Sequence, residues 1–210
     1  MSDFVNTVDS IGDEALASSI IDRSITEILD NYVTSIGISA FNSCSALTTV
    51  DFPAVTRIGN FAFQYCSALA AVDFPVVTRI GMDAFYHCSA LTTVNLPAVT
   101  SIDSTAFHSC SKLTTVDFSA AVRIGSGAFY GCSVLGTLIL RSATRAALGG
   151  TDALGGTPIK SGTGYIYVPA ALVDGYKAAN NWSTYANQFR SLEDYTVDGT
   201  TTGALDASKI

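Results

Sequence analysis

Apolar and polar positions along this chain follow a pattern that returns every 22 residues from Cys44 to Arg145. Within one unit, Val50 and Phe52 alternate with Thr49 and Asp51. Period-two alternation over a β-prone run predicts a short, half-buried strand. Pro53 ends it, because proline has no N–H to give to a ladder. Val55 and Ile58 then turn apolar side chains back inward, and Gly59 is read as the support of a turn. Ala62 and Phe63 lie in a stretch that has room for one helical turn or a 3₁₀ piece. Cys66 then returns the chain to the next strand.

The copies keep strict register. Cysteine recurs at Cys44, Cys66, Cys88, Cys110 and Cys132, and leucine three residues later at Leu47, Leu69, Leu91, Leu113 and Leu135. The alanine–phenylalanine pair recurs with Phe41, Phe63, Phe85, Phe107 and Phe129. Self-similarity at such a period is the signature of a solenoid, in which each unit covers its neighbours and none folds alone. Each coil offers about six apolar side chains to the interior, worth roughly 1.5–3 kcal/mol apiece when buried. The fold class expected is an α/β solenoid. It is a right-handed coil with its short strands stacked in a parallel sheet, closed by small helical caps.

The pattern frays at both ends, which sets the organisation. Residues 1–11 read as irregular and 13–21 as a short amphipathic helix, so 1–21 form an N-terminal cap. Residues 22–43 are a worn copy of the unit: Ile25, Ile28, Val33 and Ile36 keep the apolar marks, while Asp22 replaces the cysteine and Asp30 replaces Phe52. Polar substitutions of this kind suit a terminal coil with one side in water. Residues 44–145 hold the full repeats. After Leu140, Arg141 stands where the proline was and Ala146 where Ile58 was. Residues 146–195 read as a C-terminal cap. It begins with a glycine-rich loop over 147–158, then a strand, Gly164 to Pro169, that extends the sheet. A helix from Ala170 to Asn180 follows, then a second from Trp182 to Leu192 with Ser183 as N-cap. Residues 196–210 read as a flexible tail, with a hairpin at Asp198-Gly199.

Composition adds exclusions. The chain has 210 residues, 48% of them hydrophobic, and a net charge of −7. The acids concentrate before residue 44, and the repeats are near neutral. No basic stripe of the kind nucleic acid requires is present, and no apolar run is long enough to insert in a membrane. Met1 to Val5 shows no basic segment leading into an apolar one, so no signal peptide is read here.

Candidate chemistry is sparse. No CxxC pair, GxSxG, HExxH, phosphate loop or dinucleotide fingerprint occurs. The two histidines, His87 and His108, fall at different repeat positions and have no nucleophile beside them in the repeat frame. The reading is that the chain is not an enzyme and uses no cofactor or metal. The cysteines read as a column of buried thiols acting as small hydrophobes. Tyr65, Tyr86, His87, His108 and Tyr130 read as covering for the outside of the coil. The candidate binding residues are the outward positions of the strands: Thr49, Asp51, Asp73, Thr93, Asn95, Thr115 and Asp117. Carboxylates stacked about 5 Å apart repel each other, so their recurrence reads either as a solvated face copied by duplication or as a polar face that binds a partner.

The unit CSALTTVDFPAVTRIGNFAFQY resembles the BspA-like class of leucine-rich repeats, and YIYVPAALVDGYKAANNW is similar to the segment that closes such arrays. The resemblance covers residues 22–192. It implies a bacterial extracellular or cell-surface protein used in adhesion or protein binding; the partner expected is a protein or glycan, with the chain a monomer or weak oligomer. Similar short arrays imply an alternative, a structural or accessory part of a prophage tail-type assembly.

Overall fold

The computed structural model describes residues 10–11, 26–197 and 200–201. They form a solenoid whose coils carry two strand ladders where the sequence pattern predicts one. The front ladder is built from the predicted strands, among them Thr49–Asp51, Ala71–Asp73, Thr93–Asn95, Thr115–Phe118 and Thr137–Leu140. The second is a seven-stranded parallel sheet of two-residue strands in sequence order: Ser10–Ile11, Ser35–Ile36, Arg57–Ile58, Arg79–Ile80, Ser101–Ile102, Arg123–Ile124 and Ala147–Leu148. Two residues are too few for period-two alternation to show, so this sheet is invisible in the hydrophobic pattern. Ser10–Ile11, read as irregular, is its first rung. The helix expected over 13–21 lies outside the described residues.

The worn copy is a true coil. Glu27–Leu29 pairs with Thr49–Asp51 in the 22-residue register, and Ile36 pairs with Ile58. Asp30, in the place of a buried phenylalanine, accepts the N–H groups of Tyr32 and Val33 at 2.7 and 3.1 Å. A side-chain turn thus replaces a packed ring.

Phe41, Phe63, Phe85, Phe107 and Phe129 fill the core as one stack, with ring centroids 4.9–5.4 Å apart and planes within 13° of parallel. All five are fully buried. Beside them run the cysteines. The Sγ–H groups of Cys66, Cys88, Cys110 and Cys132 donate to the carbonyls of Phe41, Phe63, Phe85 and Phe107, one coil back, at 3.0–3.2 Å. All five cysteines are thiols.

The third side of each coil holds no helical piece at Ala62-Phe63; it is a run of tight turns. Two residues per coil take a left-handed backbone. One column is Ser39, Phe61, Asp83, Thr105 and Gly127; the other is Ser43, Tyr65, His87, Ser109 and Gly131, all with φ between 53° and 74°. A left-handed L-residue costs roughly 1–2 kcal/mol. Here the strained turns send every second N–H forward to the next coil, as in Phe63 to Ala84 (2.7 Å) and Tyr65 to Tyr86 (2.8 Å). Gly59, read as a turn support, has another purpose. A Cβ there would lie 2.6 Å from the backbone of Gly37 in the preceding coil. The glycine permits close approach of two coils, as do Gly81 and Gly125.

The sixth coil slips out of register. Ile124 pairs with Leu148, so Leu148 takes the place predicted for Ala146. The glycine-rich stretch 147–158 opens with the last rung of the second sheet. It continues with Ala153 and Leu154 buried where the alanine–phenylalanine pair belongs. A short helix, Pro158–Ser161, capped by the Thr157 side chain, leads to Tyr165–Val168, which extends the front ladder as predicted.

The cap differs from the two expected helices. Ala170–Leu172 is a 3₁₀ turn and Val173–Lys177 the only α-helical part of the first. Trp182–Gln188 is a kinked 3₁₀ segment preceded by Asn181, without a side-chain cap, so Ser183 is not its N-cap. Phe189–Ser191 is a strand that joins the front ladder beside Tyr165–Val168. Thr196–Val197 and Thr200–Thr201 pair antiparallel, while the hairpin turn expected at Asp198-Gly199 lies outside the described residues. No helix among the described residues is long and apolar enough to cross a membrane.

Candidate functional site: the front strand face and the aromatic edge

The front ladder places the seven predicted residues on one surface, because alternate side chains of each strand point away from the core. Val50, Val72, Val94 and Val116 are buried beneath them. Thr49, Asp51, Asp73, Thr93 and Thr115 are exposed, while Asn95 and Asp117 are half-buried. Register puts Ala71 beside Thr93 and Asp73 beside Asn95. Asn95 Nδ2 donates to Asp73 Oδ1 at 3.0 Å, which removes one carboxylate–carboxylate clash from the column.

Asp117 has a different position. Arg141, the residue in the proline's place, clamps it with Nε and Nη2 contacts of 2.8–3.0 Å. Burial still holds the Asp117 carboxyl above its ordinary range against the pull of that guanidinium. Next in the column, Ile139 is buried and in register with Tyr167, whose ring lies 4.7 Å from that of Tyr195. The last coils of the front face are therefore covered by the chain's own C-terminal segment. The open part of the face runs from Thr49 to Thr115.

The second sheet turns a basic row outward. Arg57 and Arg79 are neighbours in register, and Arg79 pairs with Asp103 at 2.8 Å. Asp103 stands where the other coils carry the close-packed glycine.

The turn side carries a feature the sequence reading took for covering. Tyr86, His108 and Tyr130 follow one another at the repeat spacing and stack with centroids 4.8 and 5.2 Å apart, planes within 27°. Tyr65 and His87, from the neighbouring column, stack at 5.6 Å, and His87 lies 4.6 Å from Tyr86. The five rings make one continuous ladder across four coils. The signal was present in the sequence as two adjacent columns, but a tyrosine beside a histidine one position out of step does not look like a stack. His87 and His108 rings are 6.1 Å apart. Burial, and then the charge of His87, pull the His108 imidazole below its usual value, partly offset by Asp83.

His108 does have a hydroxyl beside it: Ser109 Oγ lies 2.8 Å from Nδ1. Of the backbone N–H groups around that pair, that of Ser109 bonds Tyr130, that of Cys110 bonds Phe107 and that of Gly131 bonds Gly155. Among the described residues no group of three or more His, Cys, Asp or Glu could hold a metal ion. Burial drives the Cys66 and Cys110 thiols up and pushes Cys88 up to about 12, far from the range of a reactive thiolate.

Comparison with known proteins agrees with this architecture. A leucine-rich repeat protein from Bacteroides ovatus is similar over 80% of this chain at 25% identity, with a TM-score of 0.62. The chain spans 42% of that protein's length. A leucine-rich repeat protein of T. pallidum shares the fold over 88% of this chain and 86% of its own, at 20% identity and a TM-score of 0.50. A leucine rich cell surface protein from Faecalibacterium prausnitzii aligns over 77% of this chain and 64% of its own, at 19% identity and a TM-score of 0.40. No curated protein matches. The family model for the BspA type leucine rich repeat region matches in six copies over residues 2–98 and 34–148. With that match spanning most of the chain, and two stacked ladders built on its repeat, this protein belongs to the BspA-type leucine-rich repeat family.

Proposed function

We propose that this chain is a non-catalytic binding module that holds a protein ligand on its front strand face, in adhesion at a bacterial surface. The observation that carries the reading is the contrast between the two sides of the front ladder. Its inner side chains are buried in a continuous core, while Thr49, Asp51, Asp73, Thr93 and Thr115 form an exposed, evenly spaced polar surface. A rigid backbone that presents adaptable polar groups loses little conformational freedom on binding.

The test is site-directed photo-cross-linking. A photoreactive side chain at Thr93 should give adducts with proteins of a bacterial or host-cell surface extract, and one at Lys112, outside the front strands, should not. Equal labelling from both positions would sink the front-face assignment.

A further inference from the structure

The ladder of Tyr65, Tyr86, His87, His108 and Tyr130 lies outside a core of fully buried phenylalanines and is itself only partly covered. Tyr65 and Tyr130 leave nearly half their surface open, 46% and 47%. Gly155 fits against Tyr130, where a Cβ would come within 2.6 Å of the ring. Because Tyr86, His108 and Tyr130 stack face to face, the ladder shows solvent its ring edges, with their hydroxyls and imidazole nitrogens.

The surroundings continue that chemistry. Before the rings, Asn42 Nδ2 donates to Gln64 Oε1 at 3.0 Å, one coil to the next, in the same column as Tyr86. On the flank runs a row of serines, Ser45, Ser67, Ser89, Ser111 and Ser133. Neither ladder column holds a lysine or arginine. The two ladder columns are aromatic and rich in uncharged groups that both donate and accept, with the Asp83 carboxylate acting on His108. The ladder columns themselves offer no cation for a phosphate, sulfate or carboxylate.

We propose that this edge is a second binding site, distinct from the front face, and that its ligand is a neutral, extended glycan lying along the solenoid axis. The spacing selects between a sugar chain and a peptide. The rungs are 4.8–5.6 Å apart. On an extended peptide, side chains facing one way repeat at about 6.6–6.8 Å, out of step after two rungs. A sugar residue in an extended β-linked chain has close to the length of one rung, so the chain stays in step with the coils, alternate residues presenting the same face. Phenol, imidazole, amide and serine groups then hydrogen-bond hydroxyls along the chain. The proposal rests on reading the chain as a binding module, but not on the front face being the protein site.

The protein has only two histidines, and both are in the ladder. Their imidazole C–H resonances therefore report on this edge alone. The probes are β-linked hexasaccharides of glucose, N-acetylglucosamine and mannose, with an extended threonine-rich hexapeptide as comparison. The expected result is a saturable shift of both histidine signals with at least one hexasaccharide and none with the peptide. Tyr65→Ala and Tyr130→Ala should each weaken that binding by about threefold to tenfold, and Asp51→Ala should leave it unchanged. Histidine signals that stay still with all three sugars at millimolar concentration overturn the proposal, as does a shift with the peptide alone. An unaltered affinity in both tyrosine variants also overturns it. Failure here leaves the cross-linking from Thr93 as a separate test of the binding-module reading.

Discussion

Trp182 donates its indole N–H to the carbonyl of Ala146 across 2.7 Å. Tyr176 Oη takes the N–H of the same residue at 2.8 Å. A further coil would satisfy these groups with its own backbone; here two buried aromatic side chains do so. Asn181 extends the arrangement to Leu148 and Tyr185 to Thr151 and Leu154. The open end of a solenoid exposes peptide groups as a sheet edge does, and this cap closes it residue by residue. Trp182→Phe keeps the ring and strands a buried carbonyl. It should lower stability by about 1–3 kcal/mol, read from urea denaturation with an unchanged slope. A variant as stable as the parent would mean that the cap only packs.

The left-handed columns make an opposite prediction. Thr105 is a β-branched residue held at φ 56°, where the next coil has Gly127. The penalty of roughly 1–2 kcal/mol for an L-residue there exceeds the roughly 0.5–1 kcal/mol that glycine gives up in chain entropy. Thr105→Gly should therefore raise the melting temperature, by up to about 1 kcal/mol in stability at the midpoint. A fall would show that the threonine side chain contributes more than its backbone costs.

These columns mark where sequence reading reached its limit. The core was legible because Val50, Phe52, Val55, Ile58 and Phe63 recur in register, and burial of apolar side chains leaves a periodic trace. The second sheet was not, because Arg57–Ile58 is two residues long and its stability lies in pairing with other coils. Left-handed turns were hidden because Phe61, Tyr65 and Thr105 are not residues that advertise such a backbone. The inter-coil hydrogen bonds hold them there. Of the front face, the sequence alone was enough to find the column. It did not show that Arg141, a departure from the proline pattern, clamps Asp117, or that Tyr195 lies near that end.

Buried thiols should be silent. Cys66, Cys88, Cys110 and Cys132 have no exposed surface, and burial raises the first three away from thiolate formation. In native buffer a thiol reagent should modify at most Cys44, which is partly exposed, and in denaturant all five. Rapid native labelling of several thiols would contradict the packed core.

Acid should weaken the turn edge. His108 binds a proton less readily folded than unfolded, where its value is near 6.5. Above that value both states are neutral and the group contributes nothing. As pH falls through 6.5, the unfolded chain takes the proton first, and stability drops until the folded imidazole is also charged. His108→Gln should remove this loss. The melting temperature of the parent should fall more than that of the variant between about pH 7.5 and about pH 5.5. Parallel curves would show that His108 is not held neutral.

Recognition on the front strand face can be read out on whole cells. Binding of the fluorescently labelled chain to intact bacterial and epithelial cells is compared with that of a variant carrying Thr49→Ala, Asp51→Ala, Asp73→Ala and Thr93→Ala. All four residues are exposed and lie above an intact core, so the variant should fold with a melting temperature within a few degrees of the parent. Saturable binding by the parent and its loss in the folded variant is the expected outcome. Equal binding by both would refute front-face recognition.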